Sequence, residues 1–316
     1  MLSAFTLNNN RLSQIHLEED DDLRTDSPIW IDVVAATAEE RMWVEQTYKL
    51  ALPKPEHLRD IETSARFYEE KGELHLRSDF LLGKHSDSRS VTVAFVLTGD
   101  ILISVHEEDL PVFRNLRTRT HLQTGDIEGS KDVLIDLYSM DVEFSADALE
   151  EVYADLGQVS QSVLKTKLTD KQAADVLAGI AQAEHLNGRI RRNVMDTRRA
   201  ISYLMRSKLL TPEQHEDARQ IMQDIDSLDG HTSFLFDKIN FLMSATVGFI
   251  NINQNKIVRL FSVALLPPML IASIYGMNFH HMPELEWQAG YLFALVLMGL
   301  SVLLPFWLFQ RKGWLK

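Results

Sequence analysis

The chain has 316 residues, 45% of them hydrophobic, with 45 acidic and 32 basic side chains and a net charge of −13. Its length suggests two domains, and the acidic balance argues against nucleic-acid partners, whose binding rests on Lys and Arg neutralising phosphates. There is no cysteine, which excludes disulfides and thiolate metal sites.

Met1–Asn10 lacks the basic-then-apolar order of a signal peptide, so the N-terminal part is expected to stay in the cytoplasm. The five consecutive acids Glu18–Asp22 read as a solvated loop. Ile29–Val34 after Ser27-Pro28, and Leu74–Leu82 after Lys71-Gly72, predict strands. Val91–Leu97 and Ile101–Val105 are β-branched runs joined by Thr98-Gly99-Asp100, a hairpin signal. Helical patterns cover Ala38–Lys49 and Pro111–Thr120. Residues 1–144 therefore read as an α/β domain.

From Ser145 on, turn chemistry nearly disappears. Ala146–Leu168 and Asp170–Lys208 predict two long helices broken at Thr169-Asp170; long helices with short connections pack antiparallel. Thr211-Pro212-Glu213-Gln214 is a strong helix start, with Thr as cap, Pro at the first helical position and Gln three residues after the cap. Residues 145–256 read as a helical stalk. No comparable stop appears before Gly276, so this helix enters the apolar region unbroken, on the order of 100 Å long at about 1.5 Å per residue. Pro267-Pro268 predicts a kink of the kind membrane helices tolerate.

This helix carries a seam at alternating spacings of four and three: Ile221, Ile225, Leu228, Thr232, Leu235, Ile239, Leu242, Thr246, Phe249 and Asn253. The period is that of a coiled coil; the same stripe also suits packing on the chain's own preceding helices. Extended onward it passes Ile257, Leu260, Ala264, Pro267, Ile271, Ile274 and Asn278, which puts Asn253 and Asn278 on about one face.

Leu260–Pro283 and Ala289–Phe309 contain no Asp, Glu, Lys or Arg and match the ~20 apolar residues a membrane helix needs. The expected spans are residues 257–277 and 289–309, with an outer loop over 278–288 and a basic tail over 310–316. Lys256, Arg259, Arg311, Lys312 and Lys316 flank the spans, and the loop has no Lys or Arg. The positive-inside rule then places both termini in the cytoplasm. Two spans cannot enclose an aqueous path alone, so a pore needs several copies in a ring; a hairpin that only anchors the soluble part remains the alternative. No nucleophile, triad or metal motif emerges from the sequence, and no Gly-x-x-x-x-Gly-Lys-Ser/Thr loop is present, so no enzyme activity is expected.

Tyr275-Gly276-Met277-Asn278-Phe279, followed by Met282-Pro283-Glu284-Leu285, resembles the signature of CorA-type magnesium channels. The resemblance covers the whole chain and implies an α+β membrane protein: a cytosolic α/β domain, long cytosolic helices, one very long pore helix and a two-span C-terminal hairpin. It implies a homopentamer in the lipid bilayer of the bacterial inner membrane that passes hydrated Mg²⁺, with Co²⁺ and Ni²⁺, and that closes when cytosolic Mg²⁺ binds between subunits. No cofactor is expected beyond Mg²⁺ as transported and regulatory ion. Gly276, Met277 and Asn278 are the expected selectivity filter. Candidates for the pore lining and gate are Asn253, Asn255, Asn251, Ser262, Leu266, Met269 and Ser273. Glu284 and Glu286 are candidates for concentrating cations at the outer mouth. Asp217 and Asp224, one heptad apart, and Asp79 and Asp87 are candidates for the regulatory metal; Asp226 and Asp229 are further acids on the long helix. Arg259, a cation beside a cation path, is expected to snorkel toward the interface. A zinc transporter of the same superfamily and a membrane-tethered scaffold remain open alternatives.

Overall fold

A computed structural model describes residues 1–8, 11–15, 28–53, 66–84, 88–122, 127–164, 169–278, 280, 282–283 and 286–311. The acidic run Glu18–Asp22, and with it Asp87, Glu284 and the tail after Arg311, lie outside the described residues. The chain divides into two compact units, Met1–Leu164 with Val176–Leu242, and Lys165–Asp175 with Met243–Lys316.

The first unit is built on seven strands: β1 (Leu2–Asn8), β2 (Arg11–Ile15), β3 (Trp30–Val34), β4 (Phe67–Glu70), β5 (Glu73–Leu82), β6 (Arg89–Thr98) and β7 (Ile101–His106). They form one sheet in the order β2-β1-β3-β7-β6-β5-β4. All pairs are antiparallel except β3 with β7, where Trp30 to Val34 run beside Leu102 to His106 in the same direction. The expected hairpin is β6–β7. A second hairpin, β4–β5, turns through Lys71 and Gly72, both at positive φ, the conformation that a tight two-residue connection requires and glycine supplies without strain. β3 is buried at every residue, as a central strand covered on both faces must be.

On one face lies the helix α1 (Ala38–Tyr48). Thr37 Oγ1 accepts from the Glu40 N–H while the Glu40 carboxylate accepts from the Thr37 N–H, a complete capping box. Its Val44 joins Ile31, Val33, Ala94, Val96, Ile103 and Val105 in one apolar cluster. The other face is aromatic: Phe5, Trp30, Phe80, Phe95, Phe113 and Tyr138 pack ring on ring. Phe113 and Tyr138 come from two helices, α2 (Pro111–Leu122) and α3 (Ser130–Leu164).

α3 begins well before the expected Ala146. Its first half is buried on nearly every side, at Val133, Leu134, Ile135, Leu137, Tyr138, Asp141, Val142 and Phe144, so no single apolar stripe marks it. Two more helices follow, α4 (Asp170–Arg206) and α5 (Pro212–Tyr275). Contacts run in opposite order along each neighbouring pair. Asp141 and Ser145 of α3 meet Asn193 of α4, and Val159 meets Gly179; Asn187 and Arg198 of α4 meet Thr232 and Asp226 of α5. Both pairs are therefore antiparallel. α5 starts as its sequence predicts, with Thr211 and Gln214 bonded reciprocally. Its seam from Ile221 to Leu242 is buried within this unit, so here the coiled-coil period serves intrachain packing.

The second unit contains the rest of α5 and a last helix, α6 (Gly290–Arg311). Both helices are long and apolar enough to cross a membrane.

Candidate functional site

The apolar part of α5 has two unlike sides. Asn253, Leu260, Ala264, Pro267 and Ile271 are partly covered. Roughly 160° around the helix, at 3.6 residues per turn, lies a second stripe: Asn255, Arg259, Ser262, Leu266, Met269 and Ser273. Ser262 is half-covered and the others are exposed, with Leu266 at 62% and Met269 at 67%. The candidate pore residues thus divide between faces. Asn253 sits on the covered side, whereas Asn255, Ser262, Leu266, Met269 and Ser273 share one line. Asn251 is exposed and, one turn before Asn255, lies on the same line. Arg259 stands on the line between Asn255 and Ser262.

Pro267 and Pro268 lie inside α5 without ending it. Each lacks an N–H and so leaves a carbonyl one turn back without its helical donor. The Ser262 hydroxyl bonds the Val258 carbonyl at 2.9 Å.

The helix closes at Tyr275. The Gly276 N–H donates to the Ala272 carbonyl at 2.9 Å and the Met277 N–H to that of Ile274 at 3.2 Å. A Cβ at Gly276 would stand 3.1 Å from the Ala272 oxygen, so this corner is tight enough to favour glycine. Asn278 lies beyond the helix end, so the periodic extension from Asn253 does not reach it as helix. Gly276, Met277 and Asn278 are all exposed. Past the corner, His280 and Glu286 are exposed. Trp287 packs on Phe293 at 5.7 Å, and at the other end of α6 Arg311 lies over Trp307 at 5.4 Å; such aromatic and basic residues anchor span ends at membrane interfaces.

The candidate regulatory acids separate by what already holds them. Asp79 is bonded by Arg66 at 3.2 Å and by the Thr92 hydroxyl at 2.7 Å. Asp226 and Asp229 pair with Arg198 and Arg191. Asp217 and Asp224 are exposed on α5 and have no ion pair among the described residues. Asp224 borders a groove of about 210 Å³ with Ser139, Glu143, Ile221 and Ser227. Among the described residues no three His, Asp or Glu gather as a metal site within one chain.

Two further acids escaped sequence reasoning. Asp141 and Asp196 are almost wholly buried, and burial pushes their carboxyls up to about 7 and about 6. The available signal was polar: Asn193 and Thr197, four apart, sit within α4's buried series Ile190, Val194 and Ile201.

A family model described as CorA-like Mg²⁺ transporter protein matches residues 25–311. The chain belongs to the CorA family. It is 42% identical over 319 residues to the magnesium transport protein CorA of Yersinia pseudotuberculosis serotype I (strain IP32953), covering 100% of both chains. It is 41% identical, with the same coverage, to the magnesium transport protein CorA of Escherichia coli (strain K12). The complete structure of the CorA magnesium transporter from Methanocaldococcus jannaschii superposes with a TM-score of 0.75 at 17% identity, covering 99% of this chain and 98% of that one. This last likeness speaks for the fold. The CorA family thus gives the α+β unit and the two apolar helices one common setting, a membrane protein.

Proposed function

We propose that copies of this chain form a homopentameric channel in the bacterial inner membrane, with both termini in the cytoplasm. It passes hydrated Mg²⁺, and with it Co²⁺ and Ni²⁺, passively into the cell. The observation that carries this reading is the line of Asn255, Ser262, Leu266, Met269 and Ser273, exposed except at the partly covered Ser262, leading to the Gly276-Met277-Asn278 corner. The transport names of full-length relatives supply the ion.

Mg²⁺ dehydrates reluctantly and keeps its octahedral waters. A ring of Asn278 amide oxygens accepts hydrogen bonds from those waters without stripping them, where a carboxylate ring would hold the ion and slow its release. Gly276 lets the chain turn close to its own helix end, and Met277 supports the corner by packing, since a thioether is a poor ligand for a hard ion. Leu266 and Met269 form the apolar constriction, which closes by dewetting, while the hydroxyls of Ser262 and Ser273 flank it. Arg259, at the cytosolic end of the line, extends its head to the lipid interface. Glu284 and Glu286 raise the local cation concentration at the outer mouth. A divalent ion gains roughly 4.6 kcal/mol per 100 mV of inside-negative potential, which suffices as driving force.

Cytosolic Mg²⁺ favours closure by bridging carboxylates of neighbouring subunits. Asp217 and Asp224 suit this role because they are exposed and have no ion pair among the described residues. An ion that binds the closed arrangement better shifts the population toward it.

The natural absence of cysteine makes the pore line directly testable. Cysteines placed at Leu266, Met269 or Ser273 should react with a membrane-impermeant thiol reagent and block uptake, and cysteines at Ala264 or Ile271 should not. Equal block at both sets, or at neither, would remove this face as the pore lining.

A further inference from the structure

Within the first unit, β4 pairs with β5 only from Glu73 to Leu76. Beyond that, among the described residues, β5 has β6 as its only ladder neighbour. Two carboxylates from the helices take over the open edge. The Asp79 N–H donates to Asp196 Oδ2 at 2.9 Å, and the Leu81 backbone N–H lies close enough to Asp141 to favour its charged form. Asp196 has a counter-ion in Arg66, at 2.9 Å. Asp141 has none among the described residues.

Asp141 is fully buried. Asn193 Nδ2 donates to its two oxygens at 3.0 and 3.1 Å, and the Thr197 hydroxyl donates to Oδ2 at 2.8 Å. Asn193 Nδ2 also reaches Ser145 Oγ at 3.1 Å, and Asn193 Oδ1 is buried without a hydrogen-bond partner. The cluster is therefore short of donors. A hydroxyl accepts as readily as it donates, so a proton on Asp141 Oδ2 has an acceptor waiting in Thr197.

The titratable and charged groups around Asp141 do not supply a compensating charge. From α4 comes Asp196, another acid. From α3 comes Tyr138, whose hydroxyl is bonded to Ser78 at 2.8 Å. Arg66, ahead of β4, is held between Asp79 and Asp196. β5 presents the backbone of Leu81.

We propose that Asp141 is a proton-binding site built into the junction of α3, α4 and the open edge of β5, and that loss of its proton loosens α3 from α4. Burial is the main cause that raises its carboxyl to about 7 from an ordinary 3.8, and the neighbouring Asp196 adds to it. For an acid raised in the folded state, stability is fully present below the unfolded value and declines as pH climbs through the folded one. The window therefore runs from about pH 4 to somewhat above pH 7. α4 is tied in turn to α5, where Asn187 Nδ2 donates to the Thr232 carbonyl at 3.0 Å. If α5 lines a pore, which rests on the channel reading above, the proton on Asp141 tunes its setting to cytosolic pH.

The test uses the full chain in detergent and needs no transport, so failure of the channel reading leaves it intact. Infrared titration should reveal protonated carboxylic acid at about pH 6 that fades by about pH 8.5, and Asp141→Asn should remove the component that titrates at about 7 while leaving that of Asp196 at about 6. The thermal midpoint of the wild type should fall with rising pH more steeply than that of Asp141→Asn. Thr197→Val keeps the acid but removes a donor to its charged form, so that component's midpoint should move to higher pH. The proposal is overturned if Asp141→Asn removes no such component, if both proteins show the same pH slope, or if Thr197→Val leaves the midpoint in place.

Discussion

Gly276 and Asn278 follow the end of α5 at Tyr275 by one residue and by three, and the channel reading gives them different work. Asn278→Ala removes the amide that would face the hydrated ion and should abolish most Mg²⁺ entry with little change in thermal midpoint. Gly276→Ala places a methyl 3.1 Å from the Ala272 oxygen and should lower entry by displacing the corner, at little cost to the fold. Arg66 shows the opposite pattern. Its side chain is 10% exposed and bridges Asp79 and Asp196, and removing one partner of such a buried pair costs about 3–5 kcal/mol. Arg66→Ala should therefore lower the unfolding midpoint sharply in a calorimetric scan. The Gly-Met-Asn triplet was legible from its place after an apolar run. The commitment of Asp79 was not, because its partners stand 13 and 117 residues away, beyond any local pattern.

At the scale of elements, periodicity was readable where one face of a helix is buried and the other is wet. The α5 seam meets that condition, and every residue from Ile221 through Leu242 in it is buried. Leu235, fully buried, should cost about 2–5 kcal/mol when cut to Ala; Thr211→Ala, which removes an exposed cap, should cost about 1 kcal/mol. Chemical denaturation of the two variants separates these magnitudes. The front of α3 defeated the same reading because it is buried all round. β1, β2 and β4 were missed as well: β2 and β4 are short and lie at the two edges of the sheet, where one row of backbone partners and weaker patterning leave little trace, and the seven residues of β1 carry few β-branched side chains. Splitting the candidate pore residues between two faces of α5 required knowing which side is covered, and spacing alone left that rotation open.

At the scale of the whole molecule, one chain leaves much apolar surface uncovered. Phe234, Phe241, Phe249 and Ile252 on α5 are exposed, before the apolar span begins, and large exposed apolar patches mark contact surfaces. Neighbouring copies are the occupants that the channel reading supplies, and they would bring Asp217 and Asp224 against other subunits. Asp217→Asn with Asp224→Asn should leave Mg²⁺ entry running at internal Mg²⁺ levels that silence the wild type, read as retained uptake in preloaded vesicles. Unchanged inhibition would assign closure to other residues. The fold class and the two long apolar helices were legible in a single chain because charge and hydropathy segregate along it; an assembly of copies was not, since its contact surfaces would belong to different copies. The most direct measurement is Mg²⁺ entry into liposomes holding only the purified protein, driven by an inside-negative potential, beside Asn278→Ala. The account predicts entry that needs no nucleotide, with Co²⁺ and Ni²⁺ also carried, and loss of entry in the variant. Absence of flux for every divalent ion, or flux of Zn²⁺ alone, would contradict it.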